Sequence, residues 1–194
     1  IMHLGATSAF ITDNADAILL RDASLLLLTK IRSLLELLGK IMIYGRFAGV
    51  ITETEAYIGQ DDPACHAARG KTSRNAVMFG PAGYSYVYFI YGMYHCLNFV
   101  TEEEGFPGAV LIRGLMLIEP SPLHLNGPGK LCRHLGITRN HNTVDLTEHD
   151  TFYVKGSPFS PAYEATSRIG IRKGQEKQWR FVVKGKNNSY KGNT

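Results

Sequence analysis

Five of the chain's ten tyrosines fall within one short stretch, YSYVYFIYGMYHCLN, at residues 84–98. Tyr84, Tyr86 and Tyr88 alternate with Ser85, Val87 and Phe89, the period of two that marks a strand. Tyr91-Gly92 interrupts the alternation, and a second run follows at residues 93–100. The pattern predicts a β-hairpin with Gly92 supplying the positive φ of a tight turn, which puts Tyr91 at its tip. Valine and isoleucine would build a core more simply, because every buried phenol needs a hydrogen-bond partner. The rings are therefore either one wet face of a sheet or a surface on which something flat stacks. An aromatic at a hairpin tip makes poor use of apolar area unless it wedges into a partner, and wedging between stacked bases is one known use.

At 194 residues the chain is long enough for one domain with a sizeable core. A formal net charge of +4 permits a polyanionic partner without demonstrating one. Cys65, Cys96 and Cys132 are odd in number and widely spaced, which argues against a disulfide framework and for a reducing setting, cytoplasmic or nuclear. The N-terminal residues lack the pattern of a signal peptide. The leucine-rich run at 25–38 carries Lys30, Arg32 and Glu36, which excludes it as a membrane span, and no membrane association is expected.

Along the chain, residues 1–20 are expected to be a poorly patterned arm, 21–185 the functional domain and 186–194 a polar, basic tail. Apolar spacing predicts a helix over 22–38, with Gly39 as its left-handed cap. Strands are predicted at 40–44 and 49–57 around a Gly45-Arg46 turn, then the tyrosine hairpin, then strands at 108–113, 151–154 and 180–183. NGPGKL, at 126–131, reads as a turn entering a short helix that ends near Leu135, and SPLHL before it reads as a short bridge. Residues 59–83 form a long glycine-rich and polar connection, and connections of that length in a compact domain are more often functional than idle. Together these elements predict a single α+β domain.

Three groups of residues could carry chemistry. TETEAY places Glu53, Glu55 and Tyr57 on one face of a strand. From that hexapeptide alone a solvent-facing stripe is the plainer reading. The sharper one is a general base beside a functional loop, and spacing does not choose between the two glutamates. Lys71, Arg74 and Arg113, with Arg69 as a weaker candidate, could meet phosphates beside an aromatic platform. Cysteine and histidine occur together at Cys65-His66 and at Cys132 and His134, but neither CxxC nor HxxxH accompanies them, so a zinc hydrolase is the least supported option. Phosphate-loop, nucleophile-elbow and dinucleotide motifs are absent, and no cofactor is expected.

Read together, ETEAY (53–57), HAARGKTSRN (66–75), MFGPAG (78–83), YVYFIYGMYHCLN (86–98), LIR (111–113) and NGPGKL (126–131) resemble the alkyladenine (3-methyladenine) DNA glycosylase family. The resemblance runs from about Gly39 to Leu135, with a weaker echo in RIGI (168–171) and WRFVVKG (179–185). It implies a curved, barrel-like antiparallel sheet with peripheral helices and a hairpin projecting towards DNA. It implies an enzyme that flips alkylated purines (3-methyladenine, 7-methylguanine, with hypoxanthine as a further candidate) out of double-stranded DNA and hydrolyses the N-glycosidic bond. Acting as a monomer, the enzyme would leave an abasic site. By the same resemblance Glu55 is the general base and Arg113 helps to hold the attacking water. Tyr57, His66 and Tyr88 are walls of the base pocket, and Asn98 screens out the exocyclic amine of normal guanine. Tyr91 is the intercalating tip, with Met93 and Tyr94 beside it; Lys71 and Arg74 are expected at the DNA backbone from their charge and their position beside the hairpin rather than from the resemblance. The segment before NGPGKL is shorter than the family's, and Ser73 stands where proline is usual. The alternative is a catalytically silent nucleic-acid-binding module on the same fold.

Overall fold

A computed structural model of the chain describes residues 37–157 and 161–185. The arm at 1–20, most of the helix expected over 22–38 and the tail at 186–194 lie outside the described residues. Gly39, the expected cap, has a φ of +84°. No described helix is long and apolar enough to cross a membrane.

The described residues are built on nine strands: β1 (Ile41–Tyr44), β2 (Phe47–Ile58), β3 (Ser85–Ile90), β4 (Tyr94–Val100), β5 (Gly108–Glu119), β6 (Leu123–Asn126), β7 (Phe152–Lys155), β8 (Tyr163–Thr166) and β9 (Arg180–Val183). Their sheet runs β3-β4-β5-β2-β1-β7, with β6 on β5 and the β8–β9 pair on β2. Every pairing is antiparallel, as the α+β expectation requires. One eight-residue helix, α1 (Pro128–Leu135), packs on β4 and β5.

β2 and β5 are twelve residues each, and neither alternates simply between buried and exposed. β2 lies between β5 and β1 and also pairs with β9 through Glu53, Thr54 and Glu55. A strand covered on both faces places polar side chains as well as apolar ones away from water, and here it buries Thr54 and Glu55 completely. Its register against β5 shifts between Ile51 and Glu53 and again between Glu53 and Thr54. Such irregularities bend a strand and re-aim its side chains. The close approach needs glycine opposite: a Cβ at Gly114 would lie 2.7 Å from the Thr52 hydroxyl oxygen and 2.8 Å from Glu53 Cβ.

Two elements were not legible as strands. β6 arises within the stretch expected to be a bridge, because the extended β5 offers Gly114–Leu117 as a partner for Leu123–Asn126. β8 is exposed over most of its length and owes its conformation to β9. The turn into α1 follows expectation. Pro128 occupies the first helical turn, Leu131, Cys132 and Leu135 face inward, and Gly136 closes the helix with φ +72°. The Gly127 N–H donates to Arg113 O at 2.7 Å, which ties the start of the helix to β5.

The irregular stretch of β2 leaves the Thr52 and Thr54 hydroxyls buried without hydrogen-bond partners. Thr54→Val removes one such group while keeping the side-chain shape. It should raise the unfolding free energy by about 1 kcal/mol, measured by urea denaturation at pH 7.

Candidate active site

The β3–β4 hairpin, the long loop at 59–83, the turn into α1 and the segment at 169–171 enclose a cavity of about 600 Å³. Its aromatic walls come from Tyr57, His66, Tyr86, Tyr88, Tyr91 and Tyr94. Tyr86 and Tyr88 lie 5.3 Å apart between ring centroids, and the His66 ring meets Tyr88 edge-on at 4.5 Å. His66 Nδ1 is 2.9 Å from the Tyr86 hydroxyl. Burial of this inner edge, followed by the charge of Arg74, holds His66 below the ordinary histidine pKa. The ring is therefore neutral at pH 7. Burial also pushes the Tyr86 phenol up to about 12, so it remains protonated. The Tyr88 hydroxyl, raised further by burial and the Cys96 thiol, hydrogen-bonds that thiol across the hairpin. Tyr84 does not line this cavity; its hydroxyl bonds Asp145. The question raised by the three alternating tyrosines is thus divided: Tyr86 and Tyr88 form the wall, and Tyr84 supports the sheet.

Asn98 is buried on β4, and its amide nitrogen donates to Tyr86 O at 2.9 Å and Cys96 O at 3.3 Å. With its donors committed to the backbone, the side chain is a fixed wall of the cavity. The long loop is held in a similar way by a residue the sequence reading did not single out. Asn75 accepts from the Thr72 N–H at 2.6 Å and donates to His66 O at 2.8 Å and Gly70 O at 3.0 Å. An asparagine that satisfies three backbone groups acts as a local staple, and this one sets the position of His66.

Behind Tyr57, Arg113 and Ile169 lies Glu55, with no solvent exposure. The Tyr57 hydroxyl donates to Glu55 Oε2 at 2.9 Å, the Ile169 N–H donates to Oε1 at 2.7 Å, and Arg113 Nε stands 3.5 Å from Oε1. Burial pushes the Glu55 carboxyl above the usual carboxylate range. Arg113, the Ile169 N–H and the Tyr57 hydroxyl oppose the shift, and Glu53 adds to it. Glu53 is different in kind. Arg113 Nε at 2.9 Å and Arg180 Nε at 2.7 Å both donate to its Oε1, which makes it the anchor that aims Arg113. The solvent-facing stripe is therefore not what forms. One glutamate is an ion-pair hub, and the other is a buried carboxyl with a raised pKa.

Three more groups were legible only through their setting. Arg168 and Asp62 form a fully buried ion pair, and Arg180 braces Glu53; none carried a sequence signal beyond the RIGI and WRFVVKG echo. Of the cations assigned to the DNA backbone, Arg74 donates to Phe89 O at 3.0 Å and so braces the hairpin near its tip, while Lys71 is exposed, 5.6 Å above the Phe79 ring. Among the described residues, no three histidine, cysteine, aspartate or glutamate side chains are placed to hold a metal ion. Cys132 is buried in α1, whereas His134 meets Phe47, so the two do not converge.

At the mouth of the cavity the hairpin turns through Tyr91 (φ +51°) and Gly92 (φ +66°), closed by Met93 N–H donating to Ile90 O at 3.1 Å. Two positive φ values in succession define a type I′ turn, in which asparagine or glycine is the favoured first residue. Tyrosine there is strained, and its ring is 79% exposed, with Met93 64% exposed beside it. Tyr94 is less free, since its ring packs so closely on Gly129 that a Cβ there would come within 2.9 Å.

The sequence profile described as methylpurine-DNA glycosylase matches residues 31–187. A Rickettsia felis protein named "Putative 3-methyladenine DNA glycosylase" is 60% identical over 148 residues, covering 76% of this chain and 84% of that protein. Proteins of the same name from the Wolbachia of Brugia malayi and from Sodalis glossinidius are 65% and 63% identical. They cover 76% and 75% of this chain, and 88% and 86% of their own lengths.

Two outcomes follow from this geometry. Tyr91→Asn relieves the turn and should raise stability by roughly 0.5–1 kcal/mol in thermal or urea unfolding, although it deletes the exposed ring. Tyr57→Phe removes a donor from Glu55 and keeps the ring. The Glu55 carboxyl should then titrate at higher pH, read by carbon-13 NMR of carboxyl-labelled glutamate.

Proposed function

We propose the substrate and mechanism of this site from one premise, that the chain belongs to the methylpurine-DNA glycosylase family and is a DNA N-glycosylase. Its substrates are purines alkylated at N3 or N7 in double-stranded DNA, 3-methyladenine and 7-methylguanine, with hypoxanthine as a neutral substrate. The observation that carries the reading is a solvent-free carboxyl, Glu55, set directly behind an aromatic cavity large enough for one purine.

A base stacked in a duplex cannot be attacked at its sugar, so it must first be extruded, at a cost of a few kcal/mol. Tyr91, rigid at the tip of a tight turn, fills the gap and offsets that cost. The extruded base enters between Tyr57, His66 and Tyr88. Purines alkylated at N3 or N7 carry positive charge, and the faces of desolvated aromatic rings favour a cation by about 2 kcal/mol. A neutral His66 adds no opposing charge. Asn98, fixed by its two backbone bonds, crowds the exocyclic amine of guanine; normal guanine has nothing to offset that penalty, whereas the cationic 7-methylguanine offsets it with its aromatic contacts and its ease of departure.

The charge that the cavity favours also makes the base a good leaving group, so departure needs little further activation. What remains is a positioned water and a base to take its proton. Glu55 is that base. Its two oxygens already receive Tyr57, Ile169 and Arg113, and water reaches the carboxylate by replacing the loosest of these, the 3.5 Å contact to Arg113 Nε. Arg113, still anchored by Glu53, then holds the water from the other side. Lys130, the lysine among the residues lining the cavity, is exposed and donates to Asn126 Oδ1 at 3.1 Å rather than standing beside Glu55, which favours simple hydrolysis to an abasic site.

The test is base release from duplexes containing a single 3-methyladenine, 7-methylguanine or hypoxanthine. Glu55→Gln should slow release by about 10²- to 10⁴-fold with DNA binding retained, and wild-type release by this variant would refute the assignment. Because Glu55 works ionised and its pKa is raised, wild-type release should climb with pH above the ordinary carboxylate range. A raised folded-state pKa also means that stability from the protonated form is lost as pH rises through it. The Gln variant should accordingly be at least as stable as wild type at pH 8, with the difference vanishing in acid.

A further inference from the structure

The most heavily engaged buried charge outside Glu55 and its ion pairs is Arg168. Its Nη1 donates to Asp62 Oδ2 at 2.5 Å and to Ala56 O at 2.7 Å, and its Nη2 donates to Asp62 Oδ1 at 2.8 Å. The guanidinium carbon lies 4.7 Å from the Tyr57 ring centroid and 5.3 Å from that of Trp179, the single tryptophan. One side chain therefore joins β2, the start of the long loop, the segment leading to Ile169 and the strand entry at Trp179. A buried ion pair contributes little net stability, because desolvation of both partners opposes their attraction. Arg168 Nε is moreover buried without a partner, a further cost. The arrangement requires another reason, and its neighbours supply one. The ring against the guanidinium is that of Tyr57, whose hydroxyl meets Glu55 Oε2, and the next residue is Ile169, whose N–H meets Glu55 Oε1.

We propose that Arg168, clamped by Asp62, is a positioning residue that sets both donors of the Glu55 carboxylate, Tyr57 from its ring face and Ile169 through the chain. It touches neither substrate nor Glu55 itself. The inference rests on Glu55 being the general base, and it deepens that reading. The groups facing Glu55 are Glu53 and Tyr57 from β2, Arg113 from β5, the Cys96 thiol of β4 and the Ile169 N–H; the Arg168 guanidinium feels its charge without touching it, and Arg180 of β9 reaches it only through Glu53. Loss of the two donors would favour the protonated acid, so the carboxyl would titrate higher and the base would be less available at neutral pH.

The decisive variant is the double replacement Arg168→Met with Asp62→Leu, which removes opposite charges together. Its direct electrostatic effect on Glu55 largely cancels, and apolar replacement of a buried pair is often neutral or stabilising. Carbon-13 NMR of carboxyl-labelled protein without DNA should show the Glu55 titration moved to higher pH. Single-turnover release of 3-methyladenine at pH 7 should fall by roughly 10- to 100-fold, with duplex affinity unchanged and the acid limb moved up. Combined with Tyr57→Phe, the effects should be less than additive, because both act through the same donor. Arg168→Lys, which keeps the charge beside Asp62 but not the planar fork, should show smaller changes of the same sign, and it decides the matter if the double variant does not fold. A folded variant whose Glu55 titration matches wild type overturns the proposal. Absence of base release by wild type would instead refute the catalytic reading and leave the titration result standing.

Discussion

A carboxyl group with no access to water is the constraint on which this site depends. Glu55 can remain there only because donors are brought to both of its oxygens, and those donors come from three separated parts of the chain. Each has a support of its own. Arg113 is aimed by Glu53, Tyr57 by the ring contact with Arg168, and the Ile169 N–H by the buried pair of Arg168 with Asp62. The carboxyl nevertheless keeps a raised pKa, so the support is incomplete. A base wholly satisfied by its surroundings would be too weak to accept a proton from water.

The sheet makes this arrangement possible through its two long central strands. β2 is covered on both faces, and its irregular register at residues 51–54 brings Glu53 and Arg113 together across a glycine. The same irregularity leaves two threonine hydroxyls unpartnered, a local cost beside the functional group. Strain appears again at the hairpin tip, where tyrosine occupies a left-handed conformation that asparagine would adopt more easily. One departure from local preference lies on the strand that carries Glu55, and the other lies at the mouth of the cavity.

Much of this was legible in the sequence. Period-two alternation located the hairpin, and Gly92 marked its turn. NGPGKL marked the entry to the helix, whose end was expected near Leu135, and the ordered motifs named several of the cavity's walls. What was not legible depended on long-range partners. β6 and β8 have weak patterns of their own and exist because β5 and β9 offer edges. The choice between Glu53 and Glu55 could not come from their spacing, since it is made by Arg180 and Ile169, more than a hundred residues away. Asp62 carries no signal of its own and Arg168 only the weak RIGI echo, so their pairing becomes visible only when the fold brings them together.

The sheet order carries one more consequence. The aromatic walls stand mainly on β3 and β4, whereas Glu55 stands on β2, with β5 between them. On the proposed mechanism, recognition by the hairpin and proton abstraction by Glu55 reside on strands that share no pairing, with Tyr57 of β2 the wall common to both. Substitutions on the hairpin can reshape which base is admitted while the carboxyl and its supports stay unchanged. On the proposed mechanism the architecture is evolvable in that specific sense: the choice of base admitted can drift along one fifteen-residue segment without passing through variants that have lost the carboxyl.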